Sequence, residues 1–263
     1  MIQKPEHFGV QYAETFKEHT VARSYRLRPP YPAATFDILA ELVHSEPRHV
    51  LDVGCGTGNV ARNFVERVER IDAVDFSQAM MEQGKQLPNG DHPHLRWLYG
   101  RVEDIVLDPP YALVTAGASL HWMDWNIVLP RFRELLVPGG YLAVVGQGMV
   151  PDPWSSLSEV LKSYRTNEKD YSYNMLGGLE RHGLFRKVGK KKTAPISFVQ
   201  SLDDYIESYH SRSGFSRERM GEERAEAFDQ EARRLLLQSY PDGLVPLQVT
   251  GHVVWGLPAP SSI

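Results

Sequence analysis

Apolar positions along the chain fall into two alternating rhythms. Val50, Leu51 and Val53 make a short run that breaks into glycines at Gly54, Gly56 and Gly58. Further short runs follow at Ile71–Asp75, Leu95–Tyr99, Ala112–Thr115 and Tyr141–Val145. Runs of this length, rich in β-branched and aromatic residues, read as strands. Between them the spacing becomes helical. Phe36, Ile38, Leu39, Leu42 and Val43 mark a helix over 33–44. A helix-compatible stretch spans Val60–Val68. Trp125, Val128, Leu129, Phe132, Leu135 and Leu136 mark a helix over 125–136. Strands alternating with helices predict an α/β fold, a Rossmann-like doubly wound sheet.

The flanks add to this frame. Phe8, Tyr12 and Phe16 recur at helical spacing, which predicts one amphipathic helix over 6–20. Two readings stand for its aromatic stripe. It packs on the body of the domain, or it covers a pocket with the Tyr12 hydroxyl as a polar handle. Pro29, Pro30 and Pro32 then end any helix and stiffen an arm, Tyr25–Pro32. Toward the C-terminus, helices are expected over 155–164, 202–210 and 222–240, and strands over 185–199 and 247–255. The expectation is a seven-stranded, mostly parallel sheet with a helical cap inserted near the C-terminus. Three segments result: 1–32 as N-terminal helix and arm, 33–150 as the ligand-binding core, and 151–263 completing the sheet and supplying the cap.

Composition changes the picture mainly by exclusion. Of 263 residues, 42% are hydrophobic and 24% charged, and the net charge is −4. Nothing here favours bulk attraction to nucleic acid or to an anionic membrane. The basic run Arg186, Lys187, Lys190, Lys191 and Lys192 lacks the interleaved aromatics of a base-stacking surface and reads as a solvated strand face. Cys55 is the single cysteine, so no internal disulfide forms, and a reducing compartment is suggested. The apolar runs fall far short of the ~20 residues of a membrane span. Met1–His7 lacks the charged-then-apolar order of a signal peptide. A cytoplasmic protein is expected. No metal is called for, and the oligomeric state is not indicated.

The glycine turn carries the chemistry. A dinucleotide site of the NAD type needs G-x-G-x-x-G, and position 59 is Asn59 rather than glycine. The chain instead reads G-x-G-x-G, with Asp52 two residues ahead. Asp75 ends the second strand about 20 residues on, where a carboxylate can accept from both hydroxyls of a ribose. The small residues Ala116, Gly117 and Ala118 close the fourth strand, leaving room for a ligand at its C-terminal end.

Asp52-Val-Gly-Cys-Gly-Thr-Gly58 resembles the first motif of the class I S-adenosylmethionine-dependent methyltransferases. Asp75-Phe-Ser-Gln-Ala-Met80, Leu136-Val-Pro-Gly-Gly-Tyr-Leu142 and the arm Tyr25-Arg-Leu-Arg-Pro-Pro-Tyr-Pro32 continue the resemblance in the same order, over residues 25–146. His121-Trp122 followed by Asp124 is similar to the small-molecule, trans-aconitate-like (methyltransferase type 11) subgroup. The resemblance implies S-adenosylmethionine as cofactor and a small molecule as acceptor. It places Asp52, Gly54, Cys55, Gly56, Gly58 and Gly117 around the cofactor, Asp75 on its ribose, and Phe76 and Met80 beside the adenine. Val102 would offer a backbone N–H to an adenine nitrogen, and Glu103 would accept from its amino group. Arg28 either pairs with the cofactor carboxylate, with Tyr25 capping it, or sits exposed in a stiff linker.

His121 is the leading general-base candidate, with positioning of the cofactor as the other reading. Tyr12 and His210 are further candidates, and Arg212 is a candidate for binding an anion. Asp108-Pro-Pro-Tyr111 matches a motif of methyltransferases acting on amino groups. However, only about eight residues separate it from the third strand, too few for a parallel crossover, so it reads as a turn into the fourth strand. A nucleic-acid or protein methyltransferase on the same fold, and a non-catalytic cofactor-binding protein, remain as alternatives.

Overall fold

The computed structural model describes residues 4–150, 154–167 and 173–259. Met1, Ile2 and Gln3 of the N-terminal stretch lie outside the described residues. The strands are β1 (His49–Val53), β2 (Arg70–Asp75), β3 (Leu95–Tyr99), β4 (Tyr111–Gly117), β5 (Leu136–Val150), β6 (Phe185–Lys192), β7 (Ile196–Ser201) and β8 (Leu244–Pro258). They form one sheet in the order β3-β2-β1-β4-β5-β8-β6, with β7 also paired to β8. Pairing is parallel from β3 through β5. β8 runs antiparallel to β5, β6 and β7.

The helices are α1 (Val10–Ala13), α2 (His19–Tyr25), α3 (Ala33–Leu42), α4 (Ala61–Phe64), α5 (Gln78–Lys85), α6 (Trp125–Leu135), α7 (Trp154–Tyr164), α8 (Met175–Arg181), α9 (Leu202–Tyr209), α10 (Arg217–Met220) and α11 (Glu222–Ser239).

Successive strand residues point to opposite faces, and both faces are covered. Val50, Ile71 and Leu113 pack with Phe36 and Leu39 of α3 and Phe64 of α4. Leu51, Val53, Val74 and Val114 pack with Val128, Leu129 and Phe132 of α6. Each fully buried aliphatic side chain contributes on the order of 2 kcal/mol of transfer free energy. A third cluster joins α7, α9, α10 and α11 to Val245, Leu247 and Val249 of β8, and this is the cap. As expected, α9 to α11 lie between the last two strands. Helix α7 joins them from between β5 and β6.

Three expectations are corrected. Among the described residues the sheet has eight strands rather than seven, because the expected 185–199 strand splits at Thr193-Ala194-Pro195. Proline has no N–H to donate to a ladder. The two pieces pair end to end along one edge of the long β8. The expected 6–20 helix is also broken. A 3-10 turn (Glu6–Phe8), α1, a second 3-10 turn (Glu14–Lys17) and α2 replace it. Gly9 and Glu18 interrupt it with extended backbone, at ψ 154° and 131°. Finally, the stretch 60–68 holds only the short α4 and a 3-10 turn.

The order of strands reverses between β1 and β4, and a crevice opens at the C-terminal ends of those two strands. The opposite end of the sheet is a rigid polar cluster. Asp72, fully buried, accepts two bonds of 2.7 Å from Arg96 and one of 2.6 Å from the Tyr111 hydroxyl. Arg70 reaches Asp108 at 2.8 Å. Asp108-Pro-Pro-Tyr111 is therefore a turn feeding β4, at the end remote from the crevice.

Candidate active site

The crevice is a cavity of about 350 Å³. Its floor is the glycine turn. Gly54, Gly56 and Gly58 have φ of 60°, 56° and 73°, a backbone region that costs an L-residue about 1–2 kcal/mol. Space enforces the same choice. A Cβ on Gly54 would lie 2.6 Å from Ser119 Cβ, and one on Gly58 would lie 2.7 Å from the Trp97 ring.

Asp75 stands beside this floor at the tip of β2. Its Oδ2 accepts the Gly56 N–H at 2.7 Å and its Oδ1 accepts the Ser77 N–H at 2.7 Å. A carboxylate has about four acceptor positions, so two such bonds leave room for a diol. Burial lifts the Asp75 pKa to about 6, against the pull of those N–H groups. Phe76, Met80 and Val102 wall the cavity beside it, and Glu103 lines it further along. Glu103 is partly committed, since its Oε1 accepts the Asp124 N–H at 3.0 Å.

Asp52, Cys55 and Gly58, expected around the cofactor, do not line the cavity. Asp52 is buried beneath it. Its carboxylate accepts the Thr115 hydroxyl at 2.7 Å and the Ala61 N–H at 3.2 Å, joining β1, β4 and α4. Burial raises its pKa to about 7. The Cys55 thiol is likewise buried and pushed up, which removes it as a nucleophile. Gly58 shapes the turn and gives space to Trp97.

The far wall comes from β4 onward. Gly117, Ala118 and Ser119 line the cavity. Ala118 sits at φ 51°, and its N–H is held by Val145 O at 3.0 Å. A non-glycine residue in that region at a ligand site is a local strain held by its surroundings. His121 follows in a 3-10 turn and also lines the cavity. Its ring sits tilted between Trp122, at 4.5 Å, and Phe8, at 4.7 Å.

The roof is the N-terminal segment and the cap. Val10, Ala13, Glu14 and Phe16 face the cavity from above. Tyr12 does not. It is buried against the cap with the Arg219 guanidinium 4.7 Å from its ring, because the break at Gly9 and the short α1 turn it away. His210 is also placed elsewhere. Its Nδ1 lies 2.7 Å from Phe215 O and its Nε2 lies 2.8 Å from Asp229, so both nitrogens pin the cap internally. Arg212 and Ser213 from the same loop do reach the cavity.

Arg28 and Tyr25 line the cavity together, the guanidinium 4.1 Å from the Tyr25 ring. Arg28 also donates to Ser211 Oγ and O, both at 2.7 Å, and so fastens the arm to the cap. Burial lowers its pKa. Among the described residues it makes no ion pair of its own. An anion in the cavity would neutralise it.

Sequence reasoning missed the roof residues Val10, Ala13 and Glu14, and the hydroxyl of Ser77. The D-x-S pattern contained Ser77, and its position just before a helical stretch signals an N-cap. Ser77 does accept the Met80 N–H, at 3.2 Å.

Residues 50–140 match a family of methyltransferase domains. The trans-aconitate 2-methyltransferase of Klebsiella pneumoniae is 27% identical, over 86% of this chain and 88% of that protein. The malonyl-[acyl-carrier protein] O-methyltransferase of Halalkalibacterium halodurans is 34% identical, but over only 37% of this chain and 38% of that protein. Among solved structures, a protein assigned as a type II methyltransferase from Anaeromyxobacter dehalogenans superposes with a TM-score of 0.65. It is 23% identical and covers 88% of this chain and 99% of its own. Residues 50–140 thus match a methyltransferase-domain family, within a chain of Rossmann-like fold.

Proposed function

We propose that the chain transfers a methyl group from S-adenosylmethionine to a small acid. The observation that carries the donor is the carboxylate of Asp75 at the tip of β2, bonded to the Gly56 N–H of a glycine turn in which a Cβ on Gly54 would meet Ser119. The cavity suits that cofactor along its length. Phe76, Met80 and Val102 give apolar walls for an adenine, Asp75 offers acceptors for a ribose, and Arg28 offers a cation for an amino-acid carboxylate. The cofactor supplies an electrophilic methyl on a sulfonium with a neutral thioether as leaving group.

The protein's own part is positioning. Gly54, Gly56 and Asp75 fix the donor, while the roof confines the acceptor, so that attack is in line. His121 faces the cavity and acts as general base when the acceptor carries a proton. Arg212 and Ser213 suit an anionic acceptor. The two relatives named above act, by name, on trans-aconitate and on malonyl-[acyl-carrier protein]. The roof of cap and N-terminal segment favours a small acceptor over a nucleic acid.

Calorimetry with S-adenosylhomocysteine tests the donor, and a screen of carboxylic acids, alcohols and amines with methyl-labelled cofactor tests the acceptor. Binding in the micromolar range and label transfer to acids are expected. No binding of S-adenosylhomocysteine by the intact chain refutes the donor reading. Transfer confined to amines or alcohols refutes the acid.

A further inference from the structure

A buried hydroxyl ties the roof over the cavity to the donor floor, beside the packing of Phe16 on Ala79 and Met80 and of Lys17 over Phe76. Ser77 is fully buried. Its Oγ donates to the backbone carbonyl of Phe16 at 2.6 Å, across 61 positions of sequence. Its backbone N–H is bound to Asp75 Oδ1 at 2.7 Å. One residue therefore touches both the proposed ribose ligand and the N-terminal segment.

That segment is short and set off from the chain on both sides. Extended backbone at Gly9 and Glu18 brackets two short turns, α1 and the 3-10 turn Glu14–Lys17. Helices this short have little intrinsic stability and depend on what they dock against. On its cavity side the segment presents Phe16, whose ring meets Trp122 at 5.7 Å and Tyr25 at 6.4 Å. Phe8, just before Gly9, meets His121. Where the segment sits therefore decides whether the acceptor side of the cavity is walled and how the His121 ring is held.

We infer that Ser77 is a positioning residue that docks the 10–17 segment as a lid over the occupied donor site. Asp75 is the link. A cofactor ribose on its carboxylate steadies the Asp75–Ser77 turn, and a steadied Ser77 holds Phe16 down. The lid then closes best on a loaded donor site, before an acceptor enters. The inference rests on the donor reading given above.

The test is hydrogen–deuterium exchange of the full chain with and without S-adenosylhomocysteine, in wild type and in Ser77→Ala, Ser77→Gly and Ser77→Thr. Glycine is included because it is tolerated at an N-cap far better than alanine. In wild type the nucleoside should slow exchange across residues 10–17 by at least about fivefold, the lower end of site-to-site coupling. Ser77→Gly and Ser77→Ala should lose that slowing while calorimetry shows affinity within about threefold of wild type. Ser77→Thr, which keeps the hydroxyl, should restore it.

Equal slowing in Ser77→Gly and wild type overturns the inference. So does a wild-type segment whose exchange ignores the bound nucleoside. Loss of affinity in Ser77→Gly in proportion to the loss of slowing makes Ser77 part of the donor site and also overturns it. Failure of wild type to bind the nucleoside at all refutes the donor reading itself, and the inference falls with it.

Discussion

The carboxylate of Asp75 and the backbone N–H of Gly56 lie 2.7 Å apart, joining the tip of one strand to the turn after its neighbour. The bond fixes where a ribose would sit before any ligand arrives. On the proposed donor reading, replacing Asp75 by alanine removes two charge-assisted ribose bonds, and it also removes the bonds to Gly56 and Ser77 that hold the turn. Affinity for S-adenosylhomocysteine should fall by about 100-fold, with Asp75→Asn between the two. Unchanged calorimetric affinity would sink the ribose assignment. The same carboxyl predicts a pH dependence. With a pKa of about 6, Asp75 loses its ionised acceptor as pH falls through that value. Affinity should drop between pH of about 7.5 and 5.5.

Stability should respond to pH in the opposite sense. Asp52 and Glu18 are raised to about 7, and Asp75 to about 6, burial being the main cause in each. Raised carboxyls make the folded state bind protons more readily than the unfolded state. Their penalty is present in full above the folded values and is relieved as pH falls toward the unfolded ones. His49 and His252 are pushed down by burial, so below about 6.5 they oppose further gain. Burial lowers the Lys4 pKa to about 8, so its penalty grows as pH falls and offsets part of the gain, and melting temperature should rise by about 2–3 °C from pH 8.5 to 6.5. Asp52→Asn should flatten that slope. A melting temperature that climbs with pH over this range contradicts the account.

The glycines of the turn differ in what they exclude. Gly54→Ala meets both a left-handed backbone and Ser119 Cβ at 2.6 Å, so it should cost about 2–4 kcal/mol. Gly56→Ala meets only the flexible end of Met80, at 3.1 Å, and should cost about 1–2 kcal/mol. Urea titration ranks the two. The reverse order would mean that the turn relaxes in a way the packing around Ser119 does not suggest.

His121→Ala should separate chemistry from binding. For a protonated acceptor, turnover should drop by about 10²–10⁴-fold, while affinity for S-adenosylhomocysteine stays within about threefold. Turnover retained with such an acceptor would leave the ring as a wall between Phe8 and Trp122.

Much of the cavity floor proposed to hold the donor was legible because its residues are written in local order. Strand, glycine turn and Asp75 follow one another within a single βαβ unit, and each strand declares itself by its own apolar run. The 10–17 segment was misread because the Phe8, Tyr12, Phe16 spacing carries no sign that Gly9 and Glu18 are extended. Tyr12 and His210 were misplaced for a related reason. Arg219 and Asp229, their partners, lie 207 and 19 positions away, and no periodicity links them. The split between β6 and β7 could be found in Pro195, but not the length of β8 that lets both halves pair with it.

Strand β8 completes the sheet from the inside. It comes last among the strands in the chain yet lies between β5 on one side and β6 and β7 on the other. Until residues 244–258 emerge from synthesis, β5 keeps a bare outer rim of backbone donors and acceptors, and β6 and β7 have nothing to pair with. Such long-range closure slows folding, and an open rim invites pairing between nascent chains. The half of the sheet that carries the glycine turn can thus take shape early, while an open edge persists until the final strand pairs.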